Sequence, residues 1–321
     1  MTDIRKTLII GSGPAGMSAA IYLTRFHLEP LVLTGKLAGG QPIWTEKVEN
    51  YPGFPEGISG TELSQKFFAQ AEKFGAQIVP EIVTRLDCTN SPINVWTTSA
   101  SDQPPDYQTR TLIIATGSEP KKLALPEEEK FFGRGLAFCA ICDGPFYKNK
   151  IVGVAGSGNK AAEEALLLSR YAEKVYLIIR GATMKADDYL QKQIQENKKI
   201  ETIFFHQIIQ LLGDSQLKKI VIKNTQDQSQ KELAIDGLFL AIGQTPANQL
   251  FSDQFATDEA GYLLTGEMAP VETNYKTVTS IKNVFAAGDI VADEKAQVII
   301  AAGGGARAAL DVQDFLQKEE I

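Results

Sequence analysis

The sequence predicts an α/β fold with two similar lobes, the second inserted into the first. The prediction rests on a motif that occurs twice. The chain opens with an apolar run that leads into the glycine turn GSGPAG at residues 11–16, and a helical stretch and a second strand follow. The same order returns around GSGNKA at residues 156–161. Such a unit holds nucleotides, because its glycines let the backbone approach a phosphate and its helix points an amino terminus there. Both lobes are therefore predicted to be Rossmann-like and nucleotide-binding.

Hydrophobic periodicity places the individual elements. Strands are predicted at residues 7–10, 31–33, 111–115, 150–155, 175–179, 238–242 and 283–287, and helices at residues 17–26, 162–171 and 297–318. Glycine-containing turns after the third and sixth of these strands mark crossings between the lobes. Residues 1–117 and 246–321 are thus predicted to form one discontinuous domain, and residues 118–245 the inserted domain.

Composition and charge exclude several classes of function. The 321 residues include 32 Lys and Arg against 39 Asp and Glu, for a net charge of -7, which does not favour nucleic acid as a partner. No apolar run approaches the roughly 20 residues of a membrane span, and the polar start of the chain is unlike a secretory signal. We therefore expect a cytoplasmic protein without a membrane partner.

Two of the three cysteines form the CxxC motif CAICDG at residues 139–144. Thiols at this spacing can close a disulfide, with one nucleophilic and the other resolving, and Asp143 beside them could carry the proton. The alternative is half of a zinc site, but Cys88, His27 and His206 are too scattered to complete four ligands. The pattern favours redox chemistry, and no metal site is predicted.

The second glycine turn also suits a pyrophosphate, and cations after the next strand would hold the 2′-phosphate of NADPH. Arg180 and Lys185 are the cations available there, and they could equally be solvated surface charges. Lys160, inside the turn, could face a pyrophosphate or solvent. In the first lobe, Thr34 and Gly35 stand where an ordinary NAD site has an acidic residue.

Several motifs occur together in one order: GSGPAG at 11–16, GGQ at 39–41, ENYPG at 49–53, ATG at 115–117, CAICDG at 139–144 and AGD at 287–289. Together they strongly resemble the low-molecular-weight thioredoxin reductases, over essentially the whole chain. The resemblance implies FAD in the first lobe, a homodimer, and a thioredoxin-like protein or another disulfide as substrate. It also implies an inserted lobe that rotates to bring the dithiol to the flavin or the substrate in turn.

The resemblance assigns roles to residues. Cys142 would exchange electrons with the flavin, Cys139 would attack the substrate disulfide, and Asp143 would be the acid–base. The residues implied to bind FAD are Gly11, Ser12, Gly13, Pro14, Ala15, Gly16, Gly35, Gly40, Gln41, Asn50, Thr116, Gly117, Gly288, Asp289, Gln297 and Val298. Those of the second nucleotide site are Gly156, Ser157, Gly158, Asn159, Lys160, Arg180 and Lys185.

The chain departs from the family at the second site. The family turn usually reads GGGx(S/T)A, where Ser157 and Lys160 differ, and its HRRxxxR clamp is IRGATMK at residues 179–185. The family's Arg-Gln-Ala near the flavin is Ala296-Gln297-Val298. The FAD-dependent apparatus and the dithiol are intact, and NADPH use is expected to be impaired.

Alternatives for the electron donor therefore stay open. One is conventional, weak use of NADPH. Another is donation by ferredoxin, which the absence of an aromatic residue in the tail at 317–321 disfavours. A third, like the cyanobacterial diflavin-linked disulfide oxidoreductases, is a second FAD in the inserted domain, and the retained glycine turn beside a weakened clamp favours this hypothesis. A rival of another class is a non-enzymatic nucleotide-binding redox sensor.

Overall fold

A computed structural model describes residues 4–45, 47–97, 104–251 and 253–319 of the chain. It divides into two compact units. The first unit combines Met1–Glu119 with Thr245–Ile321, and the inserted unit is Pro120–Gln244. The chain passes from one unit to the other after residues 119 and 244. The glycine-containing turns predicted these crossings after residues 117 and 245.

Seventeen strands and six α-helices are found in the described part of the chain. The strands are β1 (Ile4–Ile10), β2 (Leu31–Leu33), β3 (Gln77–Val79), β4 (Arg85–Asp87), β5 (Ile93–Trp96), β6 (Tyr107–Ile114), β7 (Ser118–Pro120), β8 (Leu136–Ala137), β9 (Ile151–Ala155), β10 (Lys174–Ile178), β11 (Ile200–Ile203), β12 (His206–Leu212), β13 (Lys219–Asn224), β14 (Gln230–Ala234), β15 (Gly237–Leu240), β16 (Gln244–Pro246) and β17 (Val284–Ala286). The helices are α1 (Pro14–Arg25), α2 (Gly60–Lys73), α3 (Ala140–Asp143), α4 (Asn159–Leu168), α5 (Asp188–Glu196) and α6 (Val298–Glu319).

The first unit is built on a seven-stranded sheet in the order β3-β2-β1-β6-β5-β4, with β17 also paired to β6. Strands β3, β2, β1, β6 and β17 are parallel, while β5 and β4 are antiparallel. Ile10 lies beside Leu33 on one side and Ile114 on the other, so the parallel strands end at one edge. In open α/β sheets this carboxyl edge is where ligands bind.

Helices α1 and α6 pack against each other on one face of this sheet, and the core there includes Met17, Leu23 and Phe285. Their crossing is close because Gly305 faces the backbone of α1, where an added Cβ would lie 1.9 Å from the carbonyl oxygen of Ala15. A residue larger than glycine at position 305 would push the helices apart, and α1 carries the first glycine turn at its amino end.

The inserted unit repeats the design with a parallel sheet in the order β11-β10-β9-β15-β8, on which α4 packs. A separate antiparallel sheet, β12-β13-β14, closes a second apolar cluster with residues such as Phe131, Ile220 and Leu238. Strands β9 and β10 are buried at most positions, as expected for a parallel sheet covered on both faces.

The two passages of the chain between the units lie in β7 and β16, which pair as a two-stranded ribbon. Glycines adjoin both strands: Gly117 has φ +73° and Gly243 has φ +107°. These left-handed conformations explain why the turns that the sequence analysis singled out contain glycine.

The structure corrects several predicted elements. Helix α1 begins at Pro14, three residues before the predicted start, because Pro at the first helical position and Gly13 before it form the helix entry. Helix α4 begins at Asn159 and ends at Leu168, three residues earlier than predicted at both ends. The antiparallel strands β4, β5, β12, β13 and β14 were not predicted, because polar residues interrupt their apolar ones and they lack the long apolar runs of the parallel strands. No helix in the described residues is long and apolar enough to cross a membrane.

Candidate functional site

The first glycine turn lies between β1 and α1 at the carboxyl edge of the sheet. Gly11 has φ +105°, and an added Cβ would lie 2.2 Å from the oxygen of Ala115. At Gly16 an added Cβ would lie 2.0 Å from the oxygen of Gly11. Both positions therefore admit only glycine, because any side chain would collide with backbone that cannot move without breaking the turn.

Gly13 differs from these two glycines, because its missing side chain leaves space open. It is the N-cap of α1 at φ -67°, and an added Cβ would meet only the Cα of Gly40, at 3.9 Å. No side chain caps the helix there, and Met17 N–H donates the first intrahelical bond to the Gly13 oxygen. The amides of Ala15 and Gly16 precede that bond, which is the arrangement that binds phosphate at helix amino termini.

The loop after β2 folds back onto this turn. Buried Ser12 donates from Oγ to the oxygen of Thr34 at 3.2 Å and accepts from Gly39 N–H at 3.3 Å. Gly40, at φ +70°, lies against Gly13, and Gln41 Nε2 donates to the oxygen of Ser118 at 2.6 Å. Ser12 thus ties the loops together, and Gly40 lies beside the helix entry at Gly13.

Five more of the residues implied to bind FAD follow other parallel strands to the same edge. Thr116 and Gly117 follow β6, Gly288 and Asp289 follow β17, and Gly35 follows β2. The Thr116 hydroxyl is buried and has no hydrogen-bond partner within the described ranges. A buried hydroxyl without a partner costs free energy unless a ligand supplies one.

Asn50 and Gln297 meet at the beginning of α6, where Asn50 Nδ2 donates to Gln297 Oε1 at 3.0 Å. The oxygen of Gln297 accepts from Ala301 N–H, so this residue opens the helix. Val298, the next residue, packs instead against the apolar cluster of Val48, Ile58 and Leu63. With the bare turn at Gly13 and the unpartnered Thr116 hydroxyl, the first unit fits an extended dinucleotide such as FAD.

The cysteine pair lies in the inserted unit, at the beginning of the short helix α3. Cys139 and Cys142 form a disulfide with their Cα atoms 5.4 Å apart. Cys142 N–H donates to Cys139 Sγ at 3.2 Å, and this donor would stabilise a thiolate on Cys139. Burial raises the pKa of the neighbouring Asp143 to about 6, so near neutral pH this carboxyl can both donate and accept a proton.

The second glycine turn has the same construction as the first. An added Cβ at Gly156 would lie 2.4 Å from the oxygen of Ala241 and 2.8 Å from the Cβ of Ala161. Gly158 is the uncapped N-cap of α4, with nothing within 4 Å of an added Cβ. The open space at the helix entry suits a second pyrophosphate.

Two interactions pin the loop after β10 onto this turn. Lys185 N–H donates to the oxygen of Ser157 at 2.7 Å. Asn159 Nδ2 donates to Asp187 Oδ2 at 2.8 Å, and Asp187 N–H donates to Asn159 Oδ1 at 2.8 Å. The side chains of Arg180 and Lys185 are exposed near this loop, and Lys160 is exposed in the first turn of α4.

Two residues of this region, Asp187 and Glu164, were not predicted from the sequence. Asp187 bridges the two halves of the nucleotide turn through Asn159. Glu164 is buried on α4, where helical spacing from Ala161 to Ala165 and Leu168 places it on the apolar face. A carboxylate at a buried helical position is a signal that periodicity could have supplied.

The chain has two α/β units, and in each of them an uncapped glycine turn opens a helix. Together with a cysteine disulfide beside an acidic residue, these units define a nucleotide-dependent disulfide oxidoreductase. A family profile described as pyridine nucleotide-disulphide oxidoreductase matches residues 5–306. The chain belongs to this family and, within it, to the low-molecular-weight thioredoxin reductases.

Relatives and solved structures agree with this assignment. Thioredoxin reductase of Debaryomyces hansenii is 41% identical over 320 residues, covering 97% of both chains, and that of Schizosaccharomyces pombe is 40% identical over 323 residues, covering 98% of both. The crystal structure of thioredoxin reductase from Streptococcus pyogenes is 33% identical, with a TM-score of 0.89, over 99% of this chain and 100% of that chain. Thioredoxin reductase from Giardia duodenalis, also 33% identical, has a TM-score of 0.88 over 97% of this chain and 98% of that chain.

The protein is therefore an FAD-dependent disulfide oxidoreductase of thioredoxin-reductase type, as the motifs predicted. The family also implies NADPH beside FAD. None of these relatives supports the hypothesis of a second FAD in the inserted unit.

Proposed function

We propose that the protein reduces the disulfide of a thioredoxin-like protein, with NADPH as a weakly held electron donor and FAD as the carrier. The observation that carries the proposal is the Cys139–Cys142 disulfide, placed beside a carboxyl whose pKa is raised to about 6. Cys88 is buried, and burial raises its pKa to about 12, so its thiol is not suited to exchange.

FAD bound in the first unit would pass two electrons, which NADPH supplies, to the Cys139–Cys142 disulfide. The sulfur–sulfur bond breaks, and two protons are taken up, one by Cys142 and one by Asp143, which leaves Cys139 as a thiolate. The Cys139 thiolate then attacks the substrate disulfide, and the first substrate sulfur leaves with the proton from Asp143. Cys142 next attacks Cys139 Sγ and re-forms the disulfide, and its proton goes to the second substrate sulfur, which leaves as a thiol.

The first unit would hold FAD. Gly11, Gly13 and Gly16 with the amino terminus of α1 would bind the pyrophosphate, and the Thr116 hydroxyl would find a partner on the ligand. Asp289 would bind the ribityl chain. The paired Asn50 and Gln297, with the amino terminus of α6, would lie against the flavin and favour negative charge on it.

The inserted unit would hold NADPH at the turn of Gly156 and Gly158. Arg180 and Lys185 are the cations kept from the family pattern, and each lost charge-assisted contact to the 2′-phosphate removes about 1.5–3 kcal/mol, or tenfold or more in affinity. NADPH is thus expected to bind weakly. Release of one FAD per chain on denaturation, and bleaching of the flavin by excess NADPH, would support this donor; two FAD per chain would support the diflavin alternative.

A second copy of the chain is the proposed partner of α6. Ile299, Ile300 and Leu310 project from this helix with 44%, 37% and 48% of their surfaces exposed, which is unusual for large apolar side chains. The resemblance to a homodimeric family makes a second copy the expected cover for this face. Light scattering on the holoenzyme that gives twice the mass of 35.0 kDa would support the dimer.

The cytoplasmic location stays a prediction, since a relative from Kluyveromyces lactis is named mitochondrial.

The test of the reaction is a set of single cysteine variants of the holoenzyme. Cys139→Ser is expected to keep the flavin colour and to lose turnover with oxidised thioredoxin. Cys88→Ala, as the matched control, is expected to keep both. Unchanged turnover in Cys139→Ser would contradict the assignment. Stoichiometric oxidation of the wild-type dithiol without turnover would support the redox sensor instead.

A further inference from the structure

Glu164 is a buried carboxylic acid that the proposed reaction does not use. It lies in the second turn of α4, and only 8% of its surface is exposed. Its neighbours on that helix face are Ala161, Ala165 and Leu168, which are buried in the core of the inserted unit. Burying a carboxylate among apolar groups is costly, so its presence calls for a specific interaction.

That interaction is with the helix that carries the dithiol. Helix α3 packs on α4, and Ala140 belongs to the same buried cluster as Ala161 and Ala165. The backbone N–H of Ala140 lowers the pKa of the Glu164 carboxyl group. Ala140, itself buried, is the first residue of α3 and lies between Cys139 and Cys142. Oxygen Oε2 of Glu164 is buried and, within the described parts of the chain, has no hydrogen-bond partner. The carboxyl group of Glu164 thus lies in the core against the helix that carries the dithiol, and one of its buried oxygens has no partner among the described residues.

Three charged groups act on this carboxyl. Lys160, one turn earlier on α4, lowers its pKa, while Asp143 from α3 and the adjacent Glu163 raise it. Burial is the largest effect, and it raises the pKa of Glu164 to about 7. Glu164 therefore changes its charge near neutral pH, next to Ala140, which lies between the two cysteines in the chain.

We propose that Glu164 is a positioning residue that makes the reduction of the Cys139–Cys142 disulfide depend on pH, through the charge it places beneath the dithiol helix. The inference deepens the proposed function and rests on it only in taking this disulfide as the working redox couple.

The physical cause is repulsion between like charges in a poorly solvated place. Reduction adds two electrons, which the flavin supplies, breaks the sulfur–sulfur bond and leaves either two thiols or one thiol and one thiolate. When Glu164 is protonated, a thiolate is tolerated and reduction takes up one proton. When Glu164 is ionised, a thiolate is disfavoured, so the reduced form takes up a second proton and becomes harder to reach as pH rises.

The test compares the dithiol midpoint potential of wild-type and Glu164→Gln holoenzyme at about pH 5.5, 7 and 8.5. Each protein is equilibrated in dithiothreitol redox buffers, and its thiols are counted after acid quenching and alkylation with a maleimide–polyethylene glycol. Gln keeps the size of the side chain and one acceptor oxygen while removing the charge. At the lowest pH the two proteins should agree. At the highest pH the equilibrium constant for reduction should be about three- to tenfold larger in the variant, where tenfold is about 30 mV.

Two further variants distinguish a charge effect from a structural one. Glu163→Gln makes the same change in charge at an exposed neighbour on the same helix, and its difference from wild type should stay below about twofold at every pH. Lys160→Met removes the cation that lowers the pKa of Glu164. The midpoint potential of Lys160→Met should therefore begin to differ from that of Glu164→Gln at a higher pH than the wild-type potential does.

An equal difference between wild type and Glu164→Gln at all pH values, or none at any pH, would overturn the inference. No NADPH or thioredoxin enters the measurement, so a failed donor or partner assignment would leave this result intact. A cysteine pair that cannot be reduced reversibly would instead refute the proposed function.

Discussion

Asn50 and Gln297 are separated by 247 positions in the chain, and the fold joins them by a hydrogen bond of 3.0 Å from Asn50 Nδ2 to Gln297 Oε1. One side chain belongs to the loop after β2 and the other opens α6. The bond therefore links two of the segments proposed to lie against the flavin.

We expect Asn50→Ala and Gln297→Ala each to weaken FAD binding. Because the two side chains act through one bond, the double variant should lose less affinity than the sum of the single losses. The coupling should be roughly 0.5–1.5 kcal/mol, at the low end since Asn50 is exposed. Recovery of flavin fluorescence on dissociation measures the affinity, and strictly additive losses would show that the bond plays no part in the site.

The glycines of the first turn should separate ligand binding from folding. At Gly13 an alanine methyl has room in the fold, so Gly13→Ala should cost the apoprotein less than about 1 kcal/mol. The methyl would project toward the proposed pyrophosphate, so FAD affinity should fall tenfold or more, which is about 1.4 kcal/mol.

Gly11→Ala is the matched comparison, because its methyl would strike the oxygen of Ala115 and its φ is +105°. That variant should lose about 3 kcal/mol or more of folding free energy. Urea unfolding of the apoproteins and FAD titration together test the pair. Equal FAD affinity in Gly13→Ala and wild type would place the pyrophosphate elsewhere.

Asp143 should control the alkaline side of the pH profile. Its pKa is raised to about 6 by burial, so the protonated acid that serves the leaving thiol is lost as pH rises through that value. Asp143→Asn should slow thiol transfer by roughly 10²- to 10⁴-fold and remove the inflection near pH 6. Single-turnover mixing of pre-reduced enzyme with oxidised thioredoxin measures the step. An unchanged profile in the variant would assign the proton to another group.

Arg180 and Lys185 should act on NADPH and not on NADH. If they contact the 2′-phosphate, Arg180→Ala and Lys185→Ala should each raise the KM for NADPH about tenfold while leaving the KM for NADH unchanged. Lys192→Ala, an exposed lysine on α5, serves as the matched control. Equal changes for both nucleotides would mean that these cations do not contact the 2′-phosphate.

Features that depend on a few adjacent residues could be predicted from the amino-acid sequence alone. A glycine turn between a buried strand and a helix is encoded within about 15 positions, so both turns and most of the parallel strands could be predicted from local pattern. The CxxC motif is similarly local, since Cys142 and Asp143 lie on one short helix that Cys139 caps. The boundaries of α1 and α4 were less predictable, because the helix entries at Gly13 and Gly158 depend on backbone conformation.

Which distant groups meet could be seen only in the folded protein. The hydrogen bond from Asn50 to Gln297, the pairing of Asn159 with Asp187, and the packing of α3 on α4 at Glu164 join residues from different elements. Each depends on how helices and loops pack, and that packing is a property of the whole fold. The charge of a buried group such as Glu164 likewise follows from desolvation, which exists only after the chain has closed around it.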